Sequence, residues 1–289
     1  METANRSLRR QLVYGAGLPI PGAANALTAR VIQGAGYPAL LVTGAGIANT
    51  YLGVPDIGLV SVTELAEHVG AIRDAVSIPI IVDGDTGFGN ALNVGRTVRL
   101  LERAGANSIL LEDQTFPKRC GHFDGKEVIP CPEMVQKIKA AVDARTDREL
   151  MILARTDARA VEGLPAAIER INAYREAGAD ILFVEAPQNE KELASIPKDA
   201  PGVHICNMVI GGKTPLLTQQ QLAGLGYAGV VYANAALQAS MLAMKTVLQH
   251  IKTNGSIAGI EDAIMSFKDR QALVDFDRFE HLAARYSSE

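Results

Sequence analysis

Short, continuously apolar runs alternate with longer amphipathic stretches along most of the chain. Four such runs read ALLV, SILL, ILFV and VVY, and they lie at 39–42, 108–111, 181–184 and 230–232. Continuous apolar runs are typical of strands that are covered on both faces, as in a parallel sheet. Each run follows an amphipathic stretch that ends near a glycine, at Gly36, Gly105, Gly178 or Gly226. Glycine is the preferred residue just after a helix, where a left-handed backbone is needed.

Four further strands are predicted in the gaps, at 18–22, 79–85, 150–156 and 203–207. Helical patterns occupy 24–35, 62–76, 91–104, 132–145, 162–177, 189–197 and 218–225. Strands that alternate with helices in this way predict an α/β fold, a closed (β/α)₈ TIM barrel. A doubly wound open sheet is the alternative. Such a sheet would normally carry a glycine-rich phosphate turn after its first strand, and no such turn is visible in this sequence.

The chain continues well beyond the eighth strand. Residues 233–255 predict a long helix that ends at Asn254–Gly255, and 257–285 predict a further helical stretch. We therefore expect one domain over 1–289, a barrel with a C-terminal helical extension from about 233 to 289. The extension is longer than a barrel's last helix requires. It would pack either on a neighbouring subunit or on its own barrel.

Composition excludes several functional classes. The net charge of −4 gives no basic footprint for nucleic acid or a membrane surface. No apolar run approaches the roughly 20 residues of a membrane-spanning helix, and the first residues lack the pattern of a signal peptide. The three cysteines do not form a disulfide framework, so we expect a cytoplasmic protein. The remaining class is a protein that acts on a small molecule.

Polar residues collect where the predicted strands end. They are Thr43, Asp83, Asp85, Glu112, Asp113, Arg155, Asp157, Glu185 and Asn207, and Gly44 and Ala45 follow Thr43 at the same strand end. Any one acid here could be a helix cap or a turn former. Several acids at one mouth of a barrel favour a site, because catalytic residues of such barrels lie at the carboxyl ends of strands. A set of oxygen ligands favours a hard divalent cation such as Mg²⁺.

The sequence KRCGH at 118–122 lies in a long connection between Glu112 and the helix near Pro132. Long loops over a barrel mouth are often lids. Lys118, Arg119 and His122 would stabilise a Cys120 thiolate. The alternative is a basic surface loop with an incidental cysteine. Cys131 and Cys206 are expected to be structural.

These motifs resemble a known family. KRCGH resembles the K-K/R-C-G-H signature of isocitrate and methylisocitrate lyases. The blocks TGAGIANTYLGVPDIGL, VDGDTGFGN, LEDQ and ARTDARAVEG resemble those of the phosphoenolpyruvate mutase/isocitrate lyase superfamily, over about residues 8 to 250. The resemblance implies a (β/α)₈ barrel, Mg²⁺, with Mn²⁺ as a substitute, and α-oxo or α-hydroxy carboxylate substrates. It also implies a homotetramer whose subunits exchange their eighth helices.

The resemblance also implies roles for individual residues. Substrate would be bound by Thr43, Gly44, Ala45, Gly121, Arg155, Glu185 and Asn207. The metal would be surrounded by Asp83, Asp85, Asp56 and Glu112, with Asp85 closest and the last two acting through metal-bound waters. The catalytic residues would be Cys120, Arg155 and His122. Cys120 would be the catalytic acid, and the general base stays unassigned.

The expected reaction is Mg²⁺-dependent carbon–carbon cleavage of a 2-hydroxy dicarboxylate. The run NMVIGGKTP at 207–215 resembles the alkylmalate-cleaving branch, and Gln238 lies where tricarboxylate enzymes would have an arginine. One cation fewer suggests one carboxylate fewer, as in 2,3-dimethylmalate, which would give pyruvate and propionate. The alternatives are cleavage of methylisocitrate, an oxaloacetate decarboxylase or hydrolase, and a non-catalytic carboxylate-binding barrel.

Overall fold

The computed structural model describes residues 3–121, 123 and 125–287. Its eight strands are β1 Leu18–Ala23, β2 Leu40–Val42, β3 Ile80–Asp83, β4 Ser108–Glu112, β5 Met151–Thr156, β6 Ile181–Val184, β7 Ile205–Asn207 and β8 Gly229–Tyr232. All paired strands are parallel, in the order β6-β5-β4-β3-β2-β1-β8-β7. Leu182 N donates to Val203 O at 2.8 Å, which joins β6 to the start of β7 and closes the sheet. The predicted (β/α)₈ barrel is confirmed.

Helices connect the strands around the outside of the barrel. They are α1 Ala4–Gln11, α2 Ala26–Gly34, α3 Gly44–Ile47, α4 Val62–Ala75, α5 Ala91–Ala104, α6 Cys131–Ala144, α7 Ala158–Val161, α8 Leu164–Glu176, α9 Glu190–Asp199 and α10 Gln219–Gly224. A π-helical turn, Ala48–Leu52, follows α3. The helical pattern predicts seven of these helices to within three residues. It misses α1 and the short α3 and α7.

The four glycines that were expected to end helices have left-handed backbones. Their φ angles are +83° at Gly36, +105° at Gly105, +106° at Gly178 and +103° at Gly226. A side chain is strained in this region of backbone space, so glycine lets each helix turn directly into the next strand.

Two layers of apolar side chains build the core. The inner layer fills the barrel with residues such as Ile20, Leu41 and Leu153, and the outer layer lies between strands and helices. Leu8 and Leu12, from α1 and the residue after it, are buried in the inner layer. Helix α1 therefore closes the amino end of the barrel, and a ligand must enter from the carboxyl end.

The C-terminal extension is helical but interrupted. It comprises α11 Ala235–Asn254, a 3₁₀ turn Glu261–Ala263, α12 Phe267–Leu273 and α13 Phe276–Tyr286. The prediction of one helical stretch over 257–285 was wrong, because Gly259 and Asp275 have positive φ angles of 84° and 60°. None of the residues of α11, α12 or α13 is buried. Within the described residues, no helix has the length and apolar character to cross a bilayer.

Candidate active site

A cavity of about 240 Å³ opens at the carboxyl end of the barrel. Ten of the predicted site residues line it, namely Thr43, Ala45, Asp56, Asp83, Glu112, Cys120, Gly121, Arg155, Glu185 and Asn207. Gly44 and Asp85 lie directly behind this lining, against Asp83. His122, the remaining predicted residue, lies outside the described residues. The structure thus brings residues from six strand ends and from the KRCGH loop to one cavity.

Two of the acids pack against the backbone that follows β2. Gly44 N donates to Asp83 Oδ2 at 3.4 Å, and Asp85 N donates to Asp83 Oδ1 at 3.2 Å. A Cβ on Gly44 would lie 3.2 Å from Asp85 Oδ1 and 3.3 Å from Asp83 Oδ2. Asp85 itself has a φ of +48°, which is strained for a residue with a side chain. Strain of this kind is concentrated at functional sites.

Lys118 lies among these acids. Its Nζ is 2.5 Å from Asp56 Oδ1 and 2.8 Å from Asp85 Oδ1, and the side chain is only 4 % exposed. Lys118 was expected to stabilise a Cys120 thiolate, whereas the structure pairs it with two carboxylates. The backbone next to Lys118 is fixed, because the side chain of Gln114 makes two hydrogen bonds of 2.9 Å with the backbone of Arg119.

The acids are poorly compensated in spite of Lys118. Burial, opposed by Lys118 and reinforced by Asp83, raises the pKa of Asp85 to about 7. Burial also raises the pKa of Glu112 well above its ordinary value. Burial lowers the pKa of Lys118, but the surrounding carboxylates, Asp85 foremost, outweigh burial and raise it. Burial therefore favours the neutral forms of Asp85 and Glu112.

A divalent cation fits this group of acids. Glu112 Oε1 is buried without a hydrogen-bond partner among the described residues, and it is the kind of oxygen that a hard cation binds. Within the same residues, no three acid, histidine or cysteine side chains converge as a complete set of metal ligands. Mg²⁺ in proteins commonly takes only one or two carboxylates and keeps several waters.

Arg155 is a second buried cation that lines the cavity. Its Nε and Nη2 donate to the two oxygens of Asp157 at 2.9 and 3.0 Å. Its Nε lies 3.5 Å from Glu112 Oε2, and its Nη1 lies 3.4 Å from Glu185 Oε2. Although burial lowers the pKa of Arg155, these carboxylates raise it well above its ordinary value, so the residue is a fixed positive charge. Such a charge can bind a substrate carboxylate but cannot act as a base.

Two backbone hydrogen bonds join the two ends of the KRCGH loop. Thr115 N donates to Glu127 O at 2.9 Å, and Ile129 N donates to Asp113 O at 2.9 Å. Between these bonds, the half-buried Cys120 and the following Gly121 reach the cavity. A sulfhydryl on this loop therefore lines the cavity that the buried acids and Arg155 share.

Several residues around the cavity were missed by sequence reasoning. Asn234, Val209, Ile210, Gly211 and Gly212 also line the cavity. Asn234 follows β8 and could have been found by the rule that located Asn207 after β7. Asp157, the partner of Arg155, was noted at a strand end but given no role.

The sequence is similar to those of several known proteins. The family model described as phosphoenolpyruvate phosphomutase matches residues 8–252. A 2,3-dimethylmalate lyase from Eubacterium barkeri is 44 % identical over 268 residues, which is 93 % of each chain. A 2-methylisocitrate lyase from Aeropyrum pernix is 42 % identical over 267 residues, which covers 92 % of this chain and 86 % of that one.

Solved structures agree with the sequence comparison. A crystal structure of 2,3-dimethylmalate lyase, described as a PEP mutase/isocitrate lyase superfamily member, superposes with a TM-score of 0.92 at 30 % identity. The match covers 100 % of this chain and 97 % of that one. Phosphonopyruvate hydrolase in complex with oxalate and Mg²⁺ superposes with a TM-score of 0.88 at 34 % identity, over 99 % of each chain.

Proposed function

Since the chain belongs to the phosphoenolpyruvate mutase/isocitrate lyase superfamily, we propose that it is a Mg²⁺-dependent carbon–carbon lyase that cleaves a 2-hydroxy dicarboxylate. The preferred substrate is 2,3-dimethylmalate, which gives pyruvate and propionate. The proposal rests mainly on one observation, that the Cys120 loop lines the same cavity as the buried acids and Arg155. A cavity of about 240 Å³ is large enough for a small dicarboxylate.

Asp85 and Asp83 would hold Mg²⁺, with Asp56 and Glu112 acting through water. When bound, the cation supplies Lewis-acid polarisation of the substrate's C1 carboxylate and C2 oxygen. Divalent charge in this place would also favour the ionised forms of Asp85 and Glu112, which burial otherwise opposes. Phosphonopyruvate hydrolase, a structural relative, has been solved with Mg²⁺ and oxalate, a compact dicarboxylate.

Arg155 would clamp the substrate C1 carboxylate and C2 oxygen. Its guanidinium is held on both edges by Asp157 and Glu185, so its direction is set before substrate arrives. Thr43, Gly44 and Ala45 would offer the start of α3 to the same carboxylate. Fixed donors of this kind stabilise charge without reorganising during the reaction.

Cys120 would complete the reaction as the proton donor. A base takes the C2 hydroxyl proton, the C2–C3 bond breaks, and its electron pair passes to C3. The C2 centre becomes the keto group of pyruvate, and the C3 fragment becomes a carboxylate-stabilised carbanion. The Cys120 thiol gives its proton to C3 to form propionate, and the thiolate is reprotonated from solvent.

The pocket next to the cavity favours an alkyl substituent over a third carboxylate. It has a volume of about 220 Å³ and shares Val209, Ile210 and Asn234 with the cavity. Its remaining described lining, mostly apolar, is Met208, Leu216, Leu217, Tyr232, Ala235 and Gln238. No lysine or arginine occurs in this described lining. A carboxylate there would lack a charged partner, whereas a methyl group would gain apolar contact.

Cleavage of 2-methylisocitrate is the second candidate, and the 42 % identity to the Aeropyrum pernix enzyme favours it. Pyruvate release should be measured with 2,3-dimethylmalate and 2-methylisocitrate, and loss of substrate with oxaloacetate, each with and without EDTA. We expect dimethylmalate to react fastest and EDTA to abolish turnover. Gln238→Arg should raise turnover of the tricarboxylate.

Faster turnover of methylisocitrate or oxaloacetate by the native protein would overturn the substrate assignment. No Mg²⁺-dependent turnover of any of the three would favour a non-catalytic carboxylate-binding barrel. We further propose that the protein works in the cytoplasm as a homotetramer. The unburied helices α11 to α13 support such an assembly, because they carry large apolar side chains on their surface.

A further inference from the structure

Lys126 is a buried lysine that the proposed reaction does not use. Its Nζ donates to Asp157 Oδ1 at 2.8 Å and also to the backbone carbonyl of Gly121. The side chain is 1 % exposed. A lysine is rarely buried so completely unless its charge is paired, because loss of hydration is costly. The residue thus joins a strand-end acid to the KRCGH loop.

Asp157 is a rigid anchor for this contact. Its backbone N donates to Asp113 Oδ1 at 2.8 Å. Asp113 is fixed in turn by Thr156 Oγ1 at 2.7 Å and by the Tyr174 hydroxyl at 2.8 Å. Although burial opposes ionisation, Arg155 and then Lys126 lower the pKa of Asp157 to about 2. Asp157 therefore stays ionised and holds both cations.

Gly121 is the other end of the contact. A Cβ at this position would collide with Arg155 Nη2 and would lie 2.7 Å from Glu185 Cγ. The Gly121 backbone thus rests directly on the guanidinium that is proposed to clamp the substrate. Since Cys120 precedes Gly121, whatever holds the Gly121 carbonyl also sets how far the thiol reaches into the cavity.

We propose that Lys126 is a positioning residue, which holds the Cys120–Gly121 peptide over Arg155 by tying the Gly121 carbonyl to Asp157. Lys126 and Arg155 share Asp157 Oδ1, so one carboxylate sets the place of both the loop and the substrate clamp. The catalytic meaning of this placement rests on the proposed function, but the placement itself does not.

Loss of the ammonium would remove a donor from the Gly121 carbonyl and a positive charge from Asp157. The base of the loop would stay intact, because its hydrogen bonds from Gln114, Thr115 and Ile129 do not involve Lys126. We therefore expect the protein to fold while the Cys120 segment moves away from Arg155 more often. Loss of a charge-assisted hydrogen bond is enough to raise the population of the displaced loop roughly tenfold or more.

Alkylation of Cys120 by iodoacetamide tests this directly, with the modified peptide quantified by mass spectrometry. We expect Lys126→Met to raise the alkylation rate of Cys120 about tenfold. Lys126→Gln, which keeps a donor but no charge, should give a smaller rise, and Lys126→Arg should restore slow labelling. Lys139→Met removes an exposed lysine from α6 and should match the native protein. The buried Cys206 reports on folding and should stay unreactive throughout.

Turnover of 2,3-dimethylmalate gives the second readout. A misplaced proton donor should lower kcat of Lys126→Met by about 100-fold with little change in KM, and Lys126→Arg should recover part of it. If native and variant proteins release no pyruvate while Cys120 labelling still accelerates, the proposed function fails and the positioning role stands. Unchanged Cys120 labelling in the Met and Gln variants would overturn the proposal. Equal labelling of Cys206 and Cys120 in both would also overturn it, because Lys126 would then support only the fold.

Discussion

Gly121 has no room for a side chain. A Cβ there would collide with Arg155 Nη2 and would approach Glu185 Cγ to 2.7 Å and Cδ to 2.8 Å. The loop backbone can therefore reach the guanidinium only because this residue is glycine. Arg155 cannot move aside freely, since Asp157 binds two of its nitrogens. Closure of the loop and the position of the proposed substrate clamp depend on each other at this one residue.

Gly121→Ala should displace the Cys120 segment from Arg155. We expect kcat for pyruvate release to fall about 100-fold, because a displacement of about 1 Å at a reacting group has this effect. The melting temperature should change little, since the loop lies outside the two core layers. Steady-state kinetics and thermal unfolding measure the two effects.

Gly34→Ala is the matched control for this substitution. Gly34 lies in α2, and a Cβ there would meet no atom within 4 Å. Activity should stay native, and stability should rise by about 0.5–1 kcal/mol, because alanine favours a helix. Native activity in Gly121→Ala would contradict the packing described for the loop.

Individual residues differ in how far their sequence context predicts them. Asp83, Asp85 and Glu112 could be assigned to the site because they directly follow apolar runs, and strand ends fix their location. The contacts of Lys118 and Lys126 could not be predicted. Each depends on the path of a loop across the barrel mouth, which local hydrophobic pattern does not determine. The positive φ of Asp85 was equally hidden, since tertiary contacts impose it.

Helix α11 exposes several large apolar side chains to solvent. Leu242 is 67 % exposed, Leu248 is 64 % exposed and Met244 is 56 % exposed. The helix ends at Gly255, whose φ of +65° turns the chain toward α12. Large apolar side chains scattered singly are ordinary on a surface, but a run of them along one helix marks an interface. This surface supports the proposed assembly of several copies.

Leu248→Glu should weaken that assembly. A charge placed in an apolar interface loses hydration without gaining a partner, so smaller species should appear at low micromolar concentration. Light scattering should give the native protein about four times the chain mass of 30.7 kDa. Thr253→Glu, at an exposed polar position on the same helix that lies outside the pocket formed by Met241, Met244 and Leu248, should keep the native mass. A native mass of one chain, or an unchanged mass in Leu248→Glu, would contradict the assembly.

Elements were predicted well where one hydrophobic period runs without interruption. All eight strands and seven of the helices between them follow from such runs, whereas the short α3 and α7 do not. Helix α1 was missed because it has only eight residues, and most of them are polar. The break between α12 and α13 was missed because Asp275 is not glycine, yet it takes a left-handed backbone with φ of +60°. Short helices and non-glycine turns carry little signal in the hydrophobic pattern.

Stabilising contacts and the candidate active site lie at opposite ends of the barrel. At the amino end, α1 closes the core, and ion pairs such as Arg9–Asp180 at 2.9 Å lie at its edge. At the carboxyl end, several charged side chains are buried together, among them Glu112, Lys118 and Arg155. Charges arranged in this way are poor evidence for stability and good evidence for function.

The proposed mechanism depends most on one step, in which the Cys120 thiol protonates the carbon fragment that leaves. Pyruvate release from 2,3-dimethylmalate in the presence of Mg²⁺, compared between the native protein and Cys120→Ser, tests it most directly. We expect kcat to fall about 1,000-fold, as for loss of a general acid, while Mg²⁺-dependent binding of oxalate stays unchanged. A Cys120→Ser protein that releases pyruvate at the native rate would contradict it.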